Sequence, residues 1–200
     1  FANGIVTDGD DEAGVWTAID LGGGADESGG RLTLRADGSG NGPRSFGIAS
    51  GRMEPLDLFE RSVTFRAALD VGGTAPAAKQ RGRFWIGDRP GENWRDQANG
   101  LLVELSDEPR ARVLARFRGH SYGVAAADLT GSATGIVLTV NWETFSLRVL
   151  TEAGTQMIEG KHQLEPACWY GRGCAIGFQA ARLRNADGPA TLDMFLHIGS

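Results

Sequence analysis

Residues 83–106 read RFWIGDRPGENWRDQANGLLVELS. Both ends alternate with a period of two, as a strand requires, because successive side chains on a strand point to opposite faces. Phe84, Ile86, Val103 and Leu105 share one face, and Arg83, Trp85, Glu104 and Ser106 share the other. The following RVLARFR (112–118) repeats the pattern. Val113, Ala115 and Phe117 join the apolar face, and Arg112, Arg116 and Arg118 join the polar one. Between the first two strands runs a polar loop, GDRPGENWRDQANG (87–100), which is long for a hairpin and carries Trp94. Two tryptophans therefore lie away from the face that should form the core. Long loops in compact domains are often functional, so this one is the first candidate for a binding loop.

Working outward, the same period recurs in VWTAIDL (15–21), RLTLRA (31–36), RSFGIAS (44–50), RSVTFRAALDV (61–71) and GIVLTVNW (135–142). It returns in FSLRVLT (145–151), TQMIEGK (155–161), CAIGFQAARL (174–183) and ATLDMFLHI (190–198). Only Glu143 and Thr144 separate Trp142 from Phe145, which suits a tight hairpin. MEPLDLFE (53–60) is the one candidate helical turn. GGGADESGG (22–30), GGTAPAAKQRG (72–82) and RGHSYGVAAADLTG (118–131) read as loops. About twelve strands cannot make one open sheet without curling, so the expected fold is all-β, an antiparallel sandwich of two packed sheets. No repeat or composition shift divides the chain, and residues 1–200 read as a single β-sandwich domain.

A chain of 200 residues buries roughly 70% of its unfolded surface and needs no metal or disulfide merely to have a core. Its net charge is -5 and it contains no basic block, which argues against nucleic acid or an anionic membrane surface as partner. No apolar run approaches the roughly 20 residues of a membrane helix, so membrane insertion is not expected. The sequence begins at Phe1, as it would after removal of a signal or as a piece of a larger exported protein with flanking domains. Its two cysteines, Cys168 and Cys174, bracket five residues. That spacing fits a local disulfide better than a zinc site or a CxxC redox pair, with two unpaired thiols as the alternative. Such a ring would stabilise by roughly 2 to 2.5 kcal/mol and would imply an extracellular or periplasmic location.

The opening residues 1–36, the middle GLLVELS (100–106), the pair IVLTVNWETFSLRVL (136–150) and the ending ATLDMFLHIGS (190–200) resemble the concanavalin A-like lectin/glucanase jelly roll. Laminin-G-like modules and many polysaccharide-active enzymes share that fold. The resemblance covers nearly the whole chain as a pattern of strands and turns. It implies a concave sheet that receives a glycan, and hence an exported, lectin-like carbohydrate-binding domain. A polysaccharide lyase, a glycoside hydrolase and a structural adhesion module are the alternatives on the same fold.

On the implied concave face, Trp85 would stack on a sugar ring, and Trp94, Asn93 and Arg95 would meet it from the loop. Arg83, Arg116 and Arg118 would pair with hydroxyls, carboxylates or sulfates. The competing reading is a solvated sheet face, with Trp85 covered and Trp94 folded back as a plug. For an enzyme, the candidates are Glu104, Arg116, His120 and Tyr122, with His120 and Tyr122 as the base and acid of a lyase. The glucanases of this fold carry a strand resembling Glu-x-Asp-x-Glu. ELSDE (104–108) keeps Glu104 and Glu108 but has Ser106 in the middle place. The fold's lyase motifs, Arg-x-Glu-x-Arg and Gln-x-His, are not found, nor are Gly-x-Ser-x-Gly and a P-loop lysine. Related sandwiches often hold a structural calcium where the first segment meets the last strand. Here TDGDDE (7–12), with Asp8 and Asp10, and Asp193 offer the oxygens that calcium requires.

Overall fold

The computed structural model describes residues 16–20, 22–28, 31–37, 44–50, 63–70, 80–106, 110–162, 164, 174–182 and 190–199. Among them are fourteen strands: β1 (Trp16–Ile19), β2 (Gly23–Ser28), β3 (Arg31–Ala36), β4 (Arg44–Ser50), β5 (Val63–Asp70), β6 (Gln80–Gly87) and β7 (Gly100–Ser106). The set continues with β8 (Arg110–Phe117), β9 (His120–Asp128), β10 (Ala133–Val140), β11 (Thr144–Thr151), β12 (Gly154–Lys161), β13 (Ala175–Arg182) and β14 (Ala190–Gly199). A single 3₁₀ turn, Trp94–Asp96, interrupts the loop between β6 and β7.

Two seven-stranded sheets carry these strands. The front sheet runs β1-β4-β13-β6-β7-β8-β9 and the back sheet β12-β11-β10-β5-β14-β3-β2, with antiparallel pairing throughout. The expected all-β antiparallel jelly-roll sandwich is the observed architecture. Period-two patterning explains it, because a strand patterned in this way gives one apolar face to the space between the sheets. Phe46, Ile48, Phe84, Ile86, Leu101, Val103, Leu105, Val113, Ile176 and Phe178 come from the front sheet. They meet Leu32, Leu34, Ile136, Leu138, Val140, Phe145, Leu147, Val149 and Ile158 from the back. Phe84 and Phe178 lie tilted with ring centroids 5.1 Å apart, a favourable aromatic arrangement.

Two strands arise where loops were expected, and both are edge strands. β2 (GGADES) pairs only with β3, and β9 (HSYGVAAAD) only with β8. An edge strand buries little, so its sequence does not need the apolar alternation that marks a central strand. β6 also begins at Gln80, three residues before the expected start, which adds Arg81 to its polar face. The hairpin between β10 and β11 is as tight as expected. The Asn141 Oδ1 accepts from the Glu143 and Thr144 amides at 2.9 and 2.7 Å. Where β9 and β12, the edges of the two sheets, come together, the Tyr122 hydroxyl donates to the His162 carbonyl at 2.9 Å.

The expected helical turn at 53–60 lies outside the described residues, as do Cys168, Asp8, Asp10 and Glu108. Cys174 is fully buried at the entrance to β13 as part of the core.

Candidate functional site: the outer face of the front sheet

Strand register lays the outer face of the front sheet out in transverse rows. One row runs Ala49, Gly177, Trp85, Leu102, Leu114. Beside it runs a polar row, Gln179, Arg83, Glu104, Arg112. Trp85 does face away from the main core, as its parity requires, yet it is 0% exposed. It packs with Ile19, Ala49, Trp94 and Leu102 in a second, smaller apolar cluster outside the sheet, with Leu114 against it.

Glycines shape the seat of that cluster. A Cβ on Gly177 would come within 2.1 Å of the Trp85 ring, so the indole lies directly over β13 at the one residue type that admits it. A Cβ on Gly100 would come within 2.8 Å of Trp94, and one on Gly87 within 2.2 Å of Gln97 Oε1. The loop between β6 and β7 is therefore folded down onto the sheet. Among the described residues the Trp85 Nε1–H finds no acceptor, so packing holds that indole.

Within the loop, polar side chains satisfy the backbone. Gln97 accepts from the Arg89 amide and donates to its carbonyl, both at 2.8 Å. Asp88 accepts from the Ala98 and Asn99 amides at 3.0 and 3.1 Å. Asn93 caps the 3₁₀ turn by accepting from the Arg95 amide at 2.7 Å. From β8, Arg116 donates to the Gln97 and Arg95 carbonyls, both at 2.5 Å, and to Ser121 Oγ at 2.8 Å. Arg116 is a staple for the loop, and those bonds occupy all three of its guanidinium nitrogens.

The polar row holds the concentrated charge. Glu104, only 5% exposed, accepts from Arg81 Nη1 at 2.7 Å and from Arg83 Nε at 2.9 Å. Arg112 Nη1 stands 3.6 Å from the same carboxylate, with its side chain 44% exposed. Arg83 also donates to Gln179 Oε1 at 2.7 Å, and Gln179 donates onward to Asp20. Three guanidiniums thus converge on one carboxylate. Arg81 Nε is buried without an acceptor among the described residues. A cluster with surplus positive charge, one member of which is open to solvent, is suited to holding an anion.

The expected site residues separate accordingly. Arg83 belongs to this cluster. Trp85 and Trp94 are closed off by packing, which corrects the expected aromatic platform: an outward parity gives the direction of a side chain but not what lands on it. Arg95 and Arg118 are exposed and Asn93 half-buried. Arg118 leaves the sheet face, because it and Gly119 form the β8–β9 corner with positive φ (51° and 82°), and its guanidinium lies 4.9 Å from the Phe117 ring centroid.

The enzyme candidates are not brought together. Glu104 pairs in register with Arg112, four residues from Arg116 and so about 13 Å along the strand. Tyr122 lies opposite inward-facing Ala115 and spends its hydroxyl on His162, while His120 is exposed beside the hairpin corner. Sequence reasoning missed Arg81, Gln179 and Asp20. Arg81 was recoverable from its spacing of two from Arg83, whereas Gln179 and Asp20 come from distant strands that only the register aligns.

Among the described residues, no three His, Cys, Asp or Glu side chains gather as metal ligands. Asp193 lies opposite Asp70 of β5 and Thr33 of β3 in backbone register.

No protein-family model matches the sequence, and no curated protein matches it. Solved structures do. The metal-free carbohydrate recognition domain of Emp46p aligns at TM-score 0.62 and 14% identity, covering 96% of this chain and 90% of that one. The VIP36 exoplasmic/lumenal domain, bound to Ca2+ and Man3GlcNAc, aligns at TM-score 0.62 and 13% identity, covering 94% and 87%. The carbohydrate binding module CBM66 from Bacillus subtilis aligns at TM-score 0.52 and 12% identity, covering 88% and 95%. With two seven-stranded antiparallel sheets enclosing one apolar layer and this agreement over nearly the full length, the chain has the concanavalin A-like lectin jelly-roll fold.

Proposed function

We propose that this chain is a carbohydrate-binding, lectin-like domain, residues 1–200, that takes an acidic polysaccharide along β8 on the outer face of the front sheet. The observation that carries this reading is the convergence of Arg81, Arg83 and Arg112 on Glu104, in a chain whose net charge is -5. Arg110, Arg112, Arg116 and Arg118 recur along β8 and its corner, and the exposed Arg95 sits beside Arg116. The strip from Arg110 to Arg116 is about 20 Å long, with Arg118 at the corner beyond it, enough for several sugar residues. Guanidinium forks match uronate carboxylates and sulfates, so the ligand class is an anionic glycan. Arg83, Arg95, Arg118 and Asn93 stay in the proposed site; Trp85, Trp94 and Arg116 support it from beneath.

The sugar-binding proteins among the structural neighbours support the carbohydrate reading. The exoplasmic/lumenal VIP36 domain supports an extracellular or periplasmic location, and a Cys168–Cys174 disulfide would accord with one. Calcium enters as a structural ion at Asp8, Asp10 and Asp193, supported by the Ca2+-bound VIP36 structures. A melting temperature indifferent to chelator would remove it.

The test is calorimetric titration with a polyuronate and with a neutral polysaccharide of equal length. Arg112→Ala should weaken polyuronate binding by more than tenfold while melting stays unchanged. No polyuronate binding, or polyuronate binding unaffected by the substitution, would overturn the proposal.

A further inference from the structure

On the outer face of the front sheet, charge alternates from strand to strand. In one register row Arg83, Glu104 and Arg112 stand side by side, a carboxylate between two guanidiniums. The next row runs Arg81, Ser106, Arg110 and Asp128. Its middle place is flanked by arginines in the same way but is held by a small, neutral serine. Register neighbours on one face stand about 4.5–5.5 Å apart at Cβ, and the two rows lie about 6.5–7 Å apart. The two rows therefore form one lattice of charge in which the position of Ser106 lacks its anion.

The guanidiniums around that position are engaged elsewhere, and two of them only weakly. Arg81 Nη1 donates to Glu104 at 2.7 Å. Arg112 Nη1 stands 3.6 Å from the same carboxylate, and Arg110 Nε stands 3.7 Å from Asp128. The Arg110 and Asp128 side chains are 52 and 91% exposed, and a pair so open to water is worth at most about 1 kcal/mol. Ser106 Oγ reaches the Arg110 carbonyl at a long 3.5 Å. Among the described residues, Arg81, Arg83, Arg110 and Arg112 face only the carboxylates of Glu104 and Asp128, so the surplus is positive.

We infer that the space over Ser106 seats the carboxylate of a uronic acid residue, an inference that rests on reading this face as the one that takes an acidic glycan. The neighbouring row shows which anion fits between paired arginines of this sheet, because Glu104 places a carboxylate between Arg83 and Arg112. A uronate carboxylate over Ser106 repeats that arrangement one row on. Arg110 and Arg112, the more exposed members, donate to it, and Arg81 bounds the seat from β6. Ser106 sets the preference for an acid by being small and uncharged. A carboxylate built into the protein at this place would compete with the ligand for the same arginines.

The experiment is calorimetric titration of the whole chain with a galacturonate hexamer, with thermal melts at low salt alongside. Ser106→Asn fills the seat without adding charge and should weaken binding about fivefold or more. Ser106→Asp also supplies the missing counter-ion, so it should weaken binding about twentyfold or more. The same variant should melt no lower than the wild type, and roughly 1–4 °C higher, because Arg81 and Arg110 gain a partner. Wild-type binding that Ser106→Asn leaves intact would overturn the seat alone and leave the arginine strip as the glycan contact. A Ser106→Asp variant that binds like the wild type, or melts below it, would overturn the seat as well. No binding by the wild type would overturn the reading of the whole face, and the seat with it.

Discussion

Replacing Glu104 by Gln should lower stability and raise affinity for polyanions at once. The amide preserves shape but removes the charge that Arg81 and Arg83 grip at 2.7 and 2.9 Å and that Arg112 faces at 3.6 Å. Breaking a fully buried ion pair costs about 3–5 kcal/mol. These arginines are 25, 17 and 44% exposed, so water compensates part of the loss and about 1–3 kcal/mol is the appropriate range. For a chain of this size each kcal/mol lowers Tm by about 2–4 °C, which gives a fall of roughly 2–12 °C. The same substitution adds one unit of positive charge to the cluster. One further charge near a partly exposed ligand is worth about 1 kcal/mol, or roughly fivefold tighter polyuronate binding at low salt, with the gain fading as the Debye length contracts. Thermal melts and calorimetry at about 20 and 200 mM salt measure both effects. Unchanged melting would refute Glu104 as the internal counter-ion of the arginines. Weakened binding would refute the division between counter-ion and ligand contacts, because Glu104 would then be touching the ligand itself.

Gly177→Ala forces a methyl into the Trp85 ring and should destabilise by about 3 kcal/mol, read as a lower midpoint in urea; a neutral result would mean the indole is not seated on β13. Arg116→Ala removes two donors to the loop, so amide exchange at Ala98 and Asn99 should accelerate about five- to thirtyfold, with a smaller change in global melting. His162 accepts from the Leu164 amide at Nδ1, which fixes it as a neutral ring donating from Nε2 to the Asn141 carbonyl. Burial lowers its pKa below the usual 6.5, outweighing the opposing pull of the Asn141 carbonyl and Glu143. The unfolded chain therefore takes up the proton first. Stability should be complete above about pH 6.5 and fall as pH drops, with a slope of up to about 1.4 kcal/mol per pH unit from this group. Urea melts between pH 7.5 and 5.5 should show that slope and a His162→Gln variant should lose it; equal slopes would refute the assignment.

The fold was legible because a central strand cannot hide its period. β3, β4 and β7 have the expected limits, and Phe84, Ile86, Val103 and Leu105 face the core. Legibility failed at the margins, where burial stops constraining the sequence. GGADES and HSYGVAAAD carry no clean alternation because each has a single hydrogen-bonded neighbour, and Gly and Ala are tolerated at an edge.

The candidate site was half legible for a different reason. Parity assigned Arg83, Trp85, Glu104 and Arg112 to one face correctly, but parity is a property of a single strand. Whether a side chain on that face meets water depends on what other segments bring to it. Gly177, far along the chain, opens the seat into which Trp85 sinks, and Gly100 opens the one for Trp94. Arg116, which reads as a ligand for sugars, is captured by carbonyls of the loop it anchors. The arginines near Glu104 stay available in part because a cluster of like charges cannot be covered cheaply by an apolar loop. The same argument explains why tryptophan proved the less reliable marker. An indole turned outward finds cover wherever a glycine lets the backbone approach, whereas a surplus guanidinium keeps its contact with water until an anion replaces it.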